Sequence, residues 1–154
     1  MTRVAVFLAT VAYCGYFPIA PGTVGSAAGL LVYLLVWWTK SPVVEVALIA
    51  GTFAAGTWAA THAERYFGGI DPGPVVIDEV LGMLLTLAFI PVGLSAACAG
   101  FVLFRVFDVI KPYPANRLET FHGGFGIMAD DAMAGVYANL ALRLLMWLLP
   151  AWIR

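Results

Sequence analysis

Two adjacent pairs of acids, Asp78-Glu79 and Asp130-Asp131, and a lone Asp108 stand at the edges of long apolar runs. Seven of the nine acids fall between Asp71 and Asp131: Asp71, Asp78, Glu79, Asp108, Glu119, Asp130 and Asp131. Grouped carboxylates repel one another unless a proton or a cation lies between them. Their hard oxygens suit Mg²⁺ or Ca²⁺. A second explanation is that each pair sits in the first turn of a helix and stabilises its N-terminus through the helix dipole. Either pair alone fits both explanations. The two pairs together, with Asp108, favour a metal site.

Cations accompany the acids. Arg105, Asp108 and Lys111 fall at i, i+3 and i+6. On a helix the first two share a face, which allows a local ion pair, and the third lies off to one side. Pro112 should end that helix at Lys111. The chemical alternative is that Arg105 and Lys111 hold a phosphate while Asp108 binds metal, because Arg recognises phosphate in bidentate fashion and Lys supplies a point charge. Two glycine-rich turns precede apolar helices: Pro21-Gly22-Thr23-Val24-Gly25-Ser26 and His122-Gly123-Gly124-Phe125-Gly126-Ile127-Met128. Such turns can aim backbone N–H groups at an anion, although they also serve simply to connect helices. His122 alone reads as a turn-capping residue sooner than as a catalyst.

The elements that must position these groups are greasy. The chain has 154 residues, 62% hydrophobic and 11% charged, with a net charge of −1 and a mean hydropathy of +0.93. Soluble domains carry about 25% charged residues. So much apolar matter excludes disorder, and eight basic against nine acidic residues exclude a charge-driven nucleic-acid binder. The length fits one domain, 1–154. Cys14 and Cys98 lie in apolar runs without ligand spacing and read as small hydrophobes. Arg3 and its apolar run imitate a signal peptide, but no polar mature domain follows, so the start reads as a retained membrane segment.

Apolar segments divide as 4–17, 24–38, 43–61, 80–104 and 132–153, charge-free apart from Glu45 and Arg143. Nothing alternates at period two, so an all-α membrane bundle is expected. A span needs about 20 residues, down to about 17. The segment 80–104 is interrupted at Pro91-Val92-Gly93. Arg143, inside the last helix, is expected to snorkel or pair with a carboxylate.

Four motifs then form a pattern: PGTVGS at 21–26, VIDEVLGM at 76–83, FRVFDVIKPYP at 104–114 and HGGFGIMADDAMAG at 122–135. In this order and spacing the chain resembles the phosphatidylglycerophosphatase A family of bacterial membrane enzymes. The resemblance implies an all-helical fold in the bacterial inner membrane. It also implies Mg²⁺-dependent hydrolysis of phosphatidylglycerophosphate, a membrane lipid, to phosphatidylglycerol and phosphate. By position it assigns Asp78, Glu79, Asp108, Asp130 and Asp131 as the catalytic and metal-binding acids. Thr23, Arg105 and Lys111 fall on the phosphate side, joined by Gly22, Gly25 and His122 of the glycine-rich turns. Other phosphatase signatures are absent: no DxDxT, no Cys-x5-Arg, no basic signature with paired His.

If these motifs make one site, they must meet on one side of a membrane. Segment 24–38 leaves that side and 43–61 returns to it. A single span over 80–104 would strand Arg105 and Asp108 opposite Asp78 and Glu79. We therefore expect a re-entrant hairpin with its turn at depth, sheltered by protein. Arg65, Arg105, Lys111 and Arg117 lie on the site side and Lys40 and Arg154 opposite, which puts the site in the cytoplasm by the positive-inside tendency. A small ion or proton transporter is the rival function. It predicts charges strung along a path through several spans, whereas here they gather in linkers flanking one broken segment. A non-enzymatic adaptor gives no reason for four spaced polar motifs.

Overall fold

The computed structural model describes residues 2–91, 93–118 and 120–149; Val92, Glu119 and Arg154, all used above, lie outside the described residues. Those described form helices and turns with no strand. Helix α1 (Thr2–Ala9) and a 3₁₀ turn (Cys14–Tyr16) lead into α2 (Pro21–Trp37) and α3 (Pro42–Phe67). Then come α4 (Ile77–Leu87), α5 (Leu94–Ile110), the short α6 (Ala115–Leu118) and α7 (Gly124–Leu148).

The boundaries follow local chemistry. Proline occupies the first position of both α2 and α3, where its fixed φ suits the helix and its missing N–H is not needed. Ser41 caps α3 by accepting from the Val44 amide. Helix α3 runs six residues beyond its expected end, so His62–Phe67 is helical, and Gly68 at φ +76 stops it. Helix α5 ends at Ile110, with Lys111 after it in the left-handed region, φ +45; the following proline disfavours continuing the helix through Lys111.

Helix α4 is the axis. Nine of its eleven residues are buried, and α2, α3, α5 and α7 all pack on it. A helix apolar on every side belongs in a core. Its side chains Val80, Met83, Leu84 and Leu87 meet Tyr33, Phe104, Ala138 and Leu142. Helix α7 crosses α4 at glycines: a Cβ on Gly135 would stand 2.5 Å from the Gly82 carbonyl oxygen. Only glycine permits that approach.

The interrupted segment is two helices, α4 and α5, and the hairpin brings Arg105 and Asp108 back to Glu79. Its tip reaches the α2–α3 turn, where Phe89, Ile90 and Pro91 line a cleft with Trp37, Lys40 and Glu45. The hairpin thus runs from the carboxylate end to the α2–α3 turn, further than α4, about 16 Å long, reaches alone. Asn139 holds the tip by donating to the carbonyls of Leu85, Thr86 and Ala88. Arg143 donates to the carbonyls of Ala88 (3.0 Å) and Phe89 (3.4 Å) and to Asn139 Oδ1. The expected carboxylate partner for Arg143 is therefore corrected: helix-terminal carbonyls, left open where the hairpin turns, engage it instead. The Phe89 amide donates to Glu45 Oε2, and Tyr33 donates to Glu45 Oε1 and to the Ile90 carbonyl.

Helix α3 is long and apolar enough to cross a membrane, the one such helix among the described residues, and only 17% of its most apolar window is buried. A soluble core helix would be mostly buried. Large apolar side chains such as Leu35, Trp38, Val43, Leu94 and Trp147 point outward, as on a surface made for lipid.

Candidate active site

Five carboxylates meet at one end of the bundle, carried by three helices. Asp78 and Glu79 open α4, ahead of the apolar stretch from Val80. Asp130 and Asp131 precede the apolar stretch from Ala132. They stand in the second turn of α7, because that helix starts at Gly124 and not near Ala132. The first-turn dipole explanation thus fits Asp78-Glu79 and fails for Asp130-Asp131. Asp108 comes from the last turns of α5.

The five acids divide by partner. Arg105 Nη1 lies 2.7 Å from Asp108 Oδ2 and 3.9 Å from Glu79 Oε1. The local i, i+3 pair therefore forms, and it forms inside the site. Lys111 Nζ donates to Asp130 Oδ2 at 2.7 Å. The left-handed turn at Lys111 carries its side chain away from α5 and toward α7. Asp78, Glu79 and Asp131 remain. Each offers an oxygen within 4.8 Å of the other two, and Asp78 Oδ1, Glu79 Oε2 and Asp131 Oδ2 are buried without a hydrogen-bond partner. Buried polar atoms are almost always satisfied, so three crowded carboxylates, each with one orphaned oxygen, are what a divalent cation with oxygen ligands fits.

Electrostatics agree. Burial, reinforced by Glu79 and Asp131, holds the Asp78 carboxyl well above the usual carboxylate range. Burial, then Asp108, Glu79 and Asp130, does the same to Asp131. Burial lifts Glu79 to about 7, partly offset by Asp78 and Arg105. It lifts Asp130 to about 6 against the pull of Lys111. Without a cation the cluster can relieve its charge only by holding protons.

The glycine-rich segments differ from expectation. Both are largely helical. Gly22 and Gly25 lie in the first turns of α2 and bring it against α4: a Cβ on Gly22 would collide with Glu79 Oε1, and one on Gly25 would stand 2.8 Å from Val76. The Gly124 amide donates to Thr61 Oγ1 at 2.9 Å, so a tertiary contact from α3 takes up that N–H. His122 is exposed ahead of α7, and none of the contacts that tie the cluster together includes it. Thr23 is exposed beside Arg105.

Two residues were not singled out for the site. Ser26, fully buried, accepts from Arg105 Nη1 at 3.4 Å and donates to the Gly22 carbonyl. Its place four residues after Gly22, on the same helix face, is the signal that locates it. Asp71 was counted among the clustered acids without a role, yet its charge raises both Asp78 and Asp130.

Residues 7–146 match the family model described as Phosphatidylglycerophosphatase A. A protein of Bacteroides thetaiotaomicron, provisionally named a phosphatidylinositol-3-phosphatase, is 35% identical over 88% of this chain and 89% of its own length. The Phosphatidylglycerophosphatase A of Escherichia coli is 38% identical over 79% of this chain and 72% of its own. That of Haemophilus influenzae is 34% identical over 80% and 77%. No solved structure matches.

Proposed function

Since the chain belongs to the phosphatidylglycerophosphatase A family, we propose that its five-carboxylate site removes the terminal phosphate of phosphatidylglycerophosphate with the help of Mg²⁺. The protein is a phosphoric monoester hydrolase acting on a membrane lipid. In the reaction a water oxygen bonds to phosphorus, the bond from phosphorus to the glycerol oxygen breaks, and that oxygen leaves protonated as the free hydroxyl of phosphatidylglycerol. The other product is inorganic phosphate.

The observation that carries the reading is the trio of orphaned oxygens on Asp78, Glu79 and Asp131, with two cations at the rim of the same cluster. Asp78, Glu79 and Asp131 would hold the metal. When bound, Mg²⁺ supplies positive charge that neutralises phosphate oxygens. Arg105 and Lys111 stabilise the charge that develops on the transferring phosphoryl group. Asp108 and Ser26 fix the Arg105 guanidinium, and Asp130 fixes the Lys111 ammonium, so both donors are aimed before substrate arrives. Thr23, at the exposed edge beside Arg105, is placed to meet an arriving phosphate.

The apolar helices support a multi-pass arrangement in the bacterial inner membrane, formed by 1–154 as one domain. In this arrangement α2, α3 and α7 from about Ala132 onward cross, the α4–α5 hairpin enters from the site side beyond Glu79, and the site faces the cytoplasm. Five carboxylates and two cations collect at one end, instead of along a path, which disfavours the ion-transporter alternative.

The test is phosphate release by purified protein with Mg²⁺ or with chelator. Activity on phosphatidylglycerophosphate that disappears with chelator and in both Asp78→Asn and Asp130→Asn supports the reading. Near-normal turnover in both variants removes the site assignment. The Bacteroides relative makes phosphatidylinositol 3-phosphate the competing substrate, and the two kcat/KM values decide between them.

A further inference from the structure

Arg105 faces two ways. Its guanidinium reaches Ser26, Glu79 and Asp108 inside the site. Its side chain also lines a groove of about 570 Å³ on the outside of the bundle, with Thr23 of α2 and Phe101, Val102, Val106, Val109 and Ile110 of α5. Ligand clefts run from about 300 to 1,000 Å³. The α5 members repeat at i, i+4 and i+8 in two adjacent rows, so they form one stripe about 14 Å long. Every α5 wall residue except Arg105 is hydrocarbon. Val102 is 59% exposed, Val106 44%, Val109 74% and Ile110 67%, so the groove opens sideways along its length.

We propose that this groove seats an acyl chain of the lipid substrate and so delivers the phosphate sideways, from the bilayer, to Arg105. The inference rests on the lipid-phosphatase reading above and names the surface that reads the lipid's apolar part. Charge and shape choose the occupant. A long apolar wall with one cation and one hydroxyl beside it fits a molecule with a hydrocarbon body and an anionic head. An arginine stem packs against such a chain while its head stays with charged partners. A soluble phosphomonoester would use the carboxylate end and leave the stripe empty. The residues that discriminate lipid from soluble substrate are then Val102 and Val106, whose apolar side chains take no part in the ion pairs and hydrogen bonds of the carboxylate cluster.

The experiment compares wild type with Val102→Trp and Val106→Trp, which fill the groove with an indole. Each is assayed on long-chain phosphatidylglycerophosphate in mixed micelles and on its deacylated headgroup. We expect KM for the long-chain lipid to rise about tenfold, as when roughly two buried methylenes are displaced, with kcat/KM on the headgroup unchanged. Unchanged kinetics on the lipid would overturn the proposal. So would equal losses on both substrates, since those report a disturbed helix and not a lost chain site. A second measurement needs no turnover: the Asp78→Asn protein is photo-crosslinked to phosphatidylglycerophosphate carrying a photoreactive acyl chain. Adducts concentrated between residues 101 and 110 support the groove. Adducts spread over the outward face of α3 as densely as on α5 show bulk lipid contact only and overturn it. If wild type hydrolyses neither substrate while adducts still map to the groove, the phosphatase reading falls and the chain site stands.

Discussion

The two ends of helix α4 both gather polar groups beside apolar helices, and they treat them in opposite ways. At the hairpin tip, Asn139, Arg143, Glu45 and Tyr33 meet open backbone carbonyls and an amide, each with a partner on the chain. At the other end, Asp78, Glu79 and Asp131 converge and leave three buried oxygens without one. Satisfied polarity fixes a fold, because breaking it leaves a hydrogen bond unmade. Unsatisfied buried polarity is a store of unmet charge that a ligand relieves. The tip is therefore architecture and the carboxylate end is chemistry, although both look alike in a composition table.

The sharpest way to break this contrast is to neutralise the unsatisfied end. Asp131→Asn should lower phosphate release on the order of 10³-fold, the scale of losing a preorganised electrostatic group. The metal-free fold should be no less stable, because one of several mutually repelling carboxylates is gone. A variant that unfolds while its remaining folded fraction turns over normally would make Asp131 architectural. Arg105→Ala comes next, with an expected loss of about 10²–10³-fold in kcat and little change in melting temperature; a pure KM effect would reassign Arg105 to substrate capture.

The tip should behave in reverse. Asn139→Ala strands carbonyls of Leu85, Thr86 and Ala88 and should cost about 1–3 kcal/mol of stability, read from denaturation in detergent. Turnover per folded molecule should stay close to wild type. A large catalytic loss without destabilisation would erase the distinction between the two ends.

The smallest effect expected is the pH response of the metal-free protein. Glu79 is raised to about 7 and Asp130 to about 6 in the folded state, above ordinary unfolded values near 4. Between those values the folded state binds more protons than the unfolded state, so stability falls as pH rises from about 4 to 7, and Asp78 and Asp131, also held well above the usual range, add to the same slope. Saturating Mg²⁺ should flatten that slope by replacing the protons. A slope of opposite sign would mean that the acids are satisfied after all.

Much of this was legible along the chain. The Pro91-Val92-Gly93 interruption announced the hairpin, since one uninterrupted span would have separated Glu79 from Arg105. Pro112 announced the end of α5. Other features were not legible because their cause lies on another helix. The start of α7 at Gly124 depends on Thr61 of α3 receiving its amide. The glycines at 22 and 25 read as an anion-binding turn, yet they serve the close approach of α2 to α4. Arg143 was expected to snorkel or to pair with a carboxylate; it is exposed, and its partners are carbonyls freed where α4 ends.

By itself the sequence determined the chemistry available: few charges, gathered as five acids and two cations at the borders of apolar segments, in four motifs that name a family. Residue types and local breaks fix such things, because an ionised group cannot lie cheaply in hydrocarbon and a proline cannot continue a helix. Only the tertiary structure decided how the acids divide their labour. Asp108 and Asp130 are claimed by Arg105 and Lys111, and Asp78, Glu79 and Asp131 are left facing one another. That division depends on which side chains from distant helices come within about 3 Å, a hydrogen-bond distance, and packing around α4 sets those distances.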